Sequence, residues 1–154
     1  MQKYDIVALG GTFDIIHDGH MKLLNKAFSI SNKAIIGLTS DELAAKKGKN
    51  LLKNYHQRFE SLKSVIEKNF PKSSYEITKL ENDFGPAVIE GSVRALVVSK
   101  ETSNKGRLLN ELRSKGNLPP VEIVVVPMVL AKDGNTISTN RIKNSEIDSS
   151  GNLN

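Results

Sequence analysis

The sequence contains no cysteine and no tryptophan, and aromatic residues make up only 5% of its 154 positions. The lack of cysteine excludes a disulfide scaffold, a thiolate nucleophile and a cysteine zinc site. The scarcity of aromatic rings argues against a protein that stacks single-stranded bases. No apolar run approaches the roughly 20 residues of a membrane span. A strand-like segment begins directly at the N-terminus, so we expect no signal or transit peptide, no membrane association and a cytoplasmic location.

The chain carries a modest positive charge: 22 Lys and Arg against 17 Asp and Glu, a formal net charge of +5. This excess is too small to indicate a nucleic-acid-binding protein, but it suits a protein that handles small anions. The length predicts one domain over residues 1–148, followed by a polar tail at 149–154 that we expect to fray. The sequence leaves the oligomeric state open, and a monomer is possible.

Strand-like and helical patterns alternate along the chain. Short aliphatic runs predict five strands, at 4–9, 34–38, 75–80, 95–99 and 121–126. Helical spacing predicts helices around 21–28, at 55–66 with a stop at 69–71, around 108–112 with Gly116 as the cap, and from Ser138 onward. Alternation of this kind favours parallel pairing through right-handed crossovers. We therefore predict an α/β fold, a single Rossmann-like doubly wound domain with a five-stranded parallel sheet.

The loop after the first strand is the expected ligand site of such a sheet. It reads Gly10-Gly11-Thr12-Phe13-Asp14-Ile15-Ile16-His17-Asp18-Gly19-His20, which fits neither a dinucleotide fingerprint nor a Walker A loop. The two glycines allow a ligand to approach the backbone closely. His17 and His20, at the start of a helix, can donate hydrogen bonds to phosphate oxygens. A zinc site is the alternative, but no third ligand is evident.

Gly11-Thr12-Phe13-Asp14 followed by His17-Asp18-Gly19-His20 resembles the GTFD and HxGH signature of the nucleotidyltransferase superfamily. The resemblance implies an enzyme that joins a nucleoside monophosphate to a phosphorylated acceptor and releases pyrophosphate. It implies that His17 and His20 are catalytic, and that Gly11, Thr12, Phe13 and His20 bind the nucleotide. We expect Mg²⁺ to arrive with ATP, bound by phosphates and water, with no metal site made by the protein.

A second phosphate-binding segment is predicted at residues 137–142, which read Ile-Ser-Thr-Asn-Arg-Ile. Hydroxyl groups at a helix start and an arginine one turn later form a suitable cradle for the β- and γ-phosphates. An ordinary helix cap with a surface arginine is the alternative. The segment resembles a phosphate-binding motif of the same superfamily, which implies nucleotide contacts by Ser138, Thr139 and Arg141; Asn140 replaces the usual threonine.

A lysine-rich stretch precedes the long predicted helix. Lys46, Lys47, Lys49 and Lys53 follow one another with no acidic residue between them. The stretch is either a solvated surface loop or a receiver of the acceptor's phosphate. Residues 54–58 resemble the Y-E-x-R region of archaeal- and eukaryotic-type phosphopantetheine adenylyltransferases, with His56 in place of the glutamate.

This closer resemblance extends from about residue 4 to 151, and it implies AMP transfer from ATP to 4'-phosphopantetheine. Thr12, Lys46, Lys47 and Arg58 would then bind the acceptor's phosphate. Other members of the superfamily are the alternatives: a glycerol-phosphate or ethanolamine-phosphate cytidylyltransferase, or an FMN adenylyltransferase. A non-catalytic nucleotide sensor on the same fold is a further alternative from a different functional class.

Overall fold

The computed structural model describes residues 4–82, 93–99 and 104–126. These residues form β1 (Tyr4–Gly11), α1 (Asp18–Ile30), β2 (Ser31–Thr39), α2 (Asp41–Lys46), α3 (Tyr55–Asn69), β3 (Tyr75–Leu80), β4 (Val93–Ser99), α4 (Asn104–Lys115) and β5 (Glu122–Val126). The predicted α/β fold with five parallel strands is confirmed. No helix in this part of the chain is both long and apolar enough to cross a membrane. The helix predicted from Ser138 and the end of the domain at 148 lie outside the described residues.

The strand order is β3-β2-β1-β4-β5, and every neighbouring pair is parallel. The chain therefore adds β2 and β3 on one side of β1, and then crosses over to add β4 and β5 on the other side. In such sheets ligands bind beyond the carboxyl ends of the strands, where the order reverses. The loop after β1 lies at this point, as the sequence predicts.

The core has two layers because neighbouring strand residues point to opposite faces of the sheet. Val7 and Leu9 of β1 pack on one face with Leu24 of α1 and Leu62 of α3. Ala8 packs on the other face in a cluster that includes Leu109 of α4. Both faces of the sheet are thus covered by helices, which explains the nearly continuous apolar runs in the central strands.

Local capping explains where α1 and α3 begin and end. The Ser31 hydroxyl donates to the carbonyl of Ala27 at 2.7 Å, so α1 passes directly into β2 without a connecting loop. α3 begins at Tyr55 because Asn54 and Gln57 form a capping box. It ends at Asn69, two residues before Pro71, as predicted.

α2 is an element that the sequence interpretation missed. No helix was predicted around residue 46, where the sequence left a surface loop and a phosphate receiver as alternatives, but Lys46 is the last residue of α2 and Lys47 is its C-cap. The helix starts because the Ser40 hydroxyl accepts the N–H of Leu43 at 3.0 Å. Gly48 follows with a φ of +72°, a left-handed conformation that glycine adopts readily. Residues 46–53, here called the lysine segment, therefore start at a helix end.

The closure of α4 differs in detail from the prediction. Gly116 follows the last helical residue, but the left-handed residue is Asn117, with a φ of 60°. Asparagine tolerates this conformation better than most residues with a side chain. Of the three leucines that mark this helix in the sequence, Leu109 is buried, whereas Leu108 and Leu112 are exposed.

Candidate active site

The loop between β1 and α1 is shaped around the ring of Phe13. Phe13 has a φ of 50°, a left-handed conformation that costs a residue with a side chain about 1 kcal/mol. Its ring is buried, with its centroid 4.8 Å from that of the His20 ring. A side chain at Gly11 would place its Cβ 3.1 Å from the Phe13 ring. Gly11 thus leaves room for the ring that holds the loop against the core.

The spacing of the two histidines is that of a helix capping box. His17 is the N-cap of α1, and its Nδ1 accepts the N–H of Gly19 at 3.1 Å. In return, the backbone N–H of His17 donates to Nδ1 of His20 at 3.2 Å. A capping box needs residues three apart, so the start of the helix itself fixes where both rings lie. The prediction that His17 and His20 sit at the start of a helix is confirmed.

These hydrogen bonds determine which ring nitrogen carries the proton. Because Nδ1 of each neutral ring accepts a hydrogen bond, the proton belongs on Nε2. Within the described part of the chain, neither Nε2 has an acceptor. The two rings stack with centroids 3.9 Å apart and planes 26° apart. The site therefore presents two neighbouring N–H donors for a ligand.

Gly19 is required by the ring of His17. A Cβ at position 19 would lie 2.8 Å from Cε1 and 3.0 Å from Nδ1 of His17. Contacts this close would force the ring out of its capping position. The glycine between the two histidines therefore has a steric reason within the site.

Burial keeps both histidines neutral. Burial lowers the pKa of His20 to about 3, and the neighbouring His17 acts in the same direction. Burial also lowers the pKa of His17, against an opposing effect of Asp18. Lowered pKa values favour uncharged rings at neutral pH, in which both histidines act as hydrogen-bond donors.

The depressed pKa of His20 predicts a loss of stability in mild acid. The unfolded chain takes up a proton near pH 6.5, whereas folded His20 does so only near pH 3. The stability of the fold with a neutral, buried His20 is therefore fully present above pH 6.5. As the pH falls below 6.5 it is lost, at up to about 1.4 kcal/mol per pH unit.

Urea unfolding at pH 6.5, 5.5 and 4.5 measures this slope. The stability of His20→Asn should fall less steeply over this range than that of the wild type. His56→Asn is the matched control, because His56 is exposed on α3, outside the β1–α1 loop. Equal slopes for the wild type and His20→Asn would contradict the prediction.

Arg58 lies beneath the loop and joins three segments. Its side chain is 0% exposed. Nη1 donates to the carbonyl oxygens of Thr12 at 2.9 Å and Thr39 at 2.8 Å, and Nε donates to that of Lys53 at 3.2 Å. Nη2 pairs with Asp41 at 2.7 Å. All three nitrogens donate to protein acceptors, so this arrangement does not favour the predicted direct contact between Arg58 and a phosphate.

Asp41, whose side chain is about half exposed, completes this junction from the solvent side. Its Oδ2 accepts the N–H of Tyr55 at 3.1 Å, and its Oδ1 contacts Arg58. Desolvation acts to raise the pKa of Asp41, but the hydrogen bonds from Tyr55 and Arg58 outweigh it and hold the pKa below its usual value. The sequence interpretation assigned no role to Asp41, although Ser-Asp-Glu at positions 40–42 is a recognisable helix start.

The lysine segment reaches the loop through Lys49. The ammonium group of Lys49 lies 3.0 Å from Oγ1 of Thr12. Lys46 and Lys47 are exposed at the end of α2. The structure thus brings Thr12 together with a lysine that the sequence interpretation noted in the stretch but did not place among the site residues.

The second half of the predicted nucleotide site belongs to a later part of the chain. Ser138, Thr139 and Arg141 lie outside the described residues, and their phosphate contacts stay predictions. Over residues 4–82, 93–99 and 104–126, no three His, Asp or Glu side chains are grouped so as to hold a metal ion.

Comparison with known proteins identifies the family. The cytidylyltransferase-like family model matches residues 8–145. A phosphopantetheine adenylyltransferase of Methanosarcina acetivorans is 43% identical over 150 residues, which cover 96% of this chain and 94% of that protein. One of Methanothermobacter thermautotrophicus is 36% identical over 152 residues, 99% of this chain and 91% of that protein.

Among solved structures, a protein of unknown function from Archaeoglobus fulgidus matches with a TM-score of 0.71 and 31% identity, over 79% of this chain and 88% of that one. The sequence matches confirm the resemblance carried by the GTFD and HxGH residues. The chain belongs to the cytidylyltransferase-like family and, within it, to the phosphopantetheine adenylyltransferases.

Proposed function

We propose that this protein transfers AMP from ATP to 4'-phosphopantetheine, giving dephospho-coenzyme A and pyrophosphate. One structural observation carries the proposal: two neutral histidine N–H donors lie at the start of α1, directly after the loop that holds Thr12, which Lys49 contacts. Relatives named for this activity match the chain over nearly its whole length, which supports the choice of substrates.

The reaction needs positioning and charge stabilisation more than it needs a base. A phosphate oxygen of the acceptor attacks the α-phosphorus of ATP, and the bond from that phosphorus to the bridging oxygen of the β-phosphate breaks. Pyrophosphate leaves with the bonding electron pair. Because the attacking oxygen is already anionic, no strong general base is required.

The histidines match this requirement. Nε2–H of His20 stabilises the charge that develops on the α-phosphate oxygens, and Nε2–H of His17 acts on the same oxygens or on the leaving bridge oxygen. Neutral donors fixed by the backbone need no reorganisation as charge builds. Gly11 and Phe13 shape the nucleotide side of the loop.

The leaving pyrophosphate is held by Ser138, Thr139 and Arg141 in this proposal. Hydroxyl groups and a planar guanidinium suit the phosphate oxygens that move away from the α-phosphorus. Mg²⁺ enters with ATP as part of the substrate, bound mainly by phosphates and water.

Lysines act on the acceptor side. Lys49 contacts Oγ1 of Thr12, which leaves the hydroxyl proton of Thr12 free to be donated to a phosphate. Lys49 and Thr12 together would hold the acceptor's phosphate, with Lys46 and Lys47 adding positive charge nearby. Arg58 contributes indirectly, by fixing the backbone of Thr12 and Lys53.

Lys49→Met is expected to raise the KM for 4'-phosphopantetheine by about tenfold or more, because a hydrogen bond to a charged group contributes about 1.5–3 kcal/mol. The KM for ATP should change little. Steady-state kinetics with each substrate varied in turn measures both constants. Lys63→Met, an exposed lysine on α3, is the control and should match the wild type. An unchanged acceptor KM in Lys49→Met would remove Lys49 from the acceptor site.

A substrate panel tests the proposed function itself. The purified protein is incubated with ATP or CTP and one acceptor at a time: 4'-phosphopantetheine, glycerol phosphate, ethanolamine phosphate or FMN. We expect rapid pyrophosphate release only with ATP and 4'-phosphopantetheine. Release with CTP or with another acceptor would select one of the alternative transferases, and ATP binding without release in any mixture would indicate a nucleotide sensor.

A further inference from the structure

Asp14 takes no part in the chemistry above, yet its carboxyl group is buried inside the active-site loop. The residue is 2% exposed. Its Oδ2 accepts the N–H of Leu52 at 2.9 Å, and its Oδ1 accepts the N–H of Lys53 at 3.0 Å. One carboxyl group therefore holds two consecutive backbone amides of the lysine segment.

The contacts of Asp14 join the two sides of the site. Phe13 packs its ring beside His20, and Asp14, the next residue, holds the end of the lysine segment. Three residues before Leu52, Lys49 contacts the side chain of Thr12. The lysine segment is thus attached to the loop between β1 and α1, here called the histidine loop, on both sides of Phe13.

The lysine segment needs such an anchor. Residues 46–50 are all exposed, and Gly48 has no neighbour within 4 Å of the position of a Cβ. A stretch with so little packing samples many conformations unless hydrogen bonds hold it at both ends. Backbone N–H groups of Lys47, Gly48 and Lys49 donate to carbonyls of α2 and hold its start, and Asp14 holds the amides at its other end. If Lys49 faced Thr12 for only part of the time, the affinity for the acceptor would fall by that fraction.

We propose that Asp14 is a positioning residue that holds the lysine segment against the histidine loop and thereby sets the affinity for the phosphorylated acceptor. The identity of that acceptor rests on the proposed function. Asp14 touches no reacting atom in this arrangement: it acts through the amides of Leu52 and Lys53, which carry Lys49 with them.

Asp14→Asn tests the proposal with little change in shape. An amide nitrogen cannot accept a hydrogen bond, so one of the two backbone N–H groups loses its partner. We expect the KM for 4'-phosphopantetheine to rise about tenfold or more, with the KM for ATP within about twofold of the wild type. Asp5→Asn is the control, because Asp5 is exposed near the other end of β1. An unchanged acceptor KM, or an equal rise in both constants, would overturn the proposal.

Amide hydrogen exchange gives a readout that needs no substrate. At least one of the amides of Leu52 and Lys53 should exchange about tenfold or more faster in Asp14→Asn than in the wild type. The amides of Gly48 and Lys49, which donate to carbonyls of α2, are the internal control and should exchange at similar rates in both proteins. If the amides of Leu52 and Lys53 exchange in the wild type at the rate of unprotected amides, Asp14 does not hold them, and the proposal is overturned even if Asp14→Asn fails to fold. Slow exchange of these two amides in a wild type that does not use 4'-phosphopantetheine would instead support the anchoring by Asp14 and reject the proposed function.

Discussion

His20→Asn is expected to lower kcat by about 100-fold or more while the protein keeps its fold. The oxygen of asparagine can replace Nδ1 of His20 and accept the N–H of His17, so the helix cap is retained. What the variant lacks is a donor at the position of Nε2. The loss should therefore fall on the transition state, in which charge on the α-phosphate oxygens is greatest, and less on the binding of either substrate.

Two further variants separate the capping role of His20 from its catalytic role. His20→Ala removes both nitrogens, so we expect the same loss of kcat together with about 1 kcal/mol of stability from the lost cap. His20→Gln restores an N–H near the position of Nε2 and should recover part of kcat. Single-turnover kinetics and urea unfolding on each variant measure the two effects. Near-normal turnover in either His20→Asn or His20→Ala would refute the catalytic assignment.

The strands and most helices could be predicted because their signals are local. Short strand-like segments of five or six residues mark β1 to β5, and Asn54 with Gln57 marks the start of α3. α2 was missed because six residues are too few to show helical periodicity. Only its capping signal at Ser40 was available, and the lysines that follow drew the interpretation toward a loop.

The histidines could be located from the sequence, but their protonation could not. Which nitrogen carries the proton depends on two hydrogen bonds that exist only once α1 begins at Asp18. The pKa of His20 depends on burial, and the nearby ring of Phe13 reaches its position through a left-handed backbone conformation. Neither fact can be read from residue spacing alone.

Arg58 shows a further limit of sequence reasoning. The family resemblance implies that Arg58 binds a phosphate, yet Arg58 is buried among backbone carbonyls from β2, the β1–α1 loop and the lysine segment. Thr12 and Thr39 are far apart in the chain, and their carbonyls come close together because the parallel strands β1 and β2 end side by side. The sequence contains no local signal for such a junction.

Arg58→Met is expected to lower the free energy of unfolding by about 3 kcal/mol. Methionine fills much of the same space, but it leaves the carbonyls of Thr12, Thr39 and Lys53 without this donor, at about 1 kcal/mol or more each. Asp41 adds less, because its side chain is 47% exposed and can be solvated by water. For a chain of this length the loss corresponds to a fall in Tm of roughly 10 °C.

The same variant distinguishes a structural Arg58 from one that binds phosphate. If Arg58 is the buried junction described here, Arg58→Met loses stability even when no substrate is present. Saturating 4'-phosphopantetheine should then raise the Tm of the wild type and of Arg58→Met by similar amounts. If Arg58 is instead a direct ligand, Arg58→Met keeps nearly full stability and raises only the acceptor KM. Arg107→Met, an exposed arginine on α4, is the control for the change of residue type. Thermal unfolding and acceptor kinetics on both variants decide, because stability moves in the first case and the acceptor KM alone moves in the second.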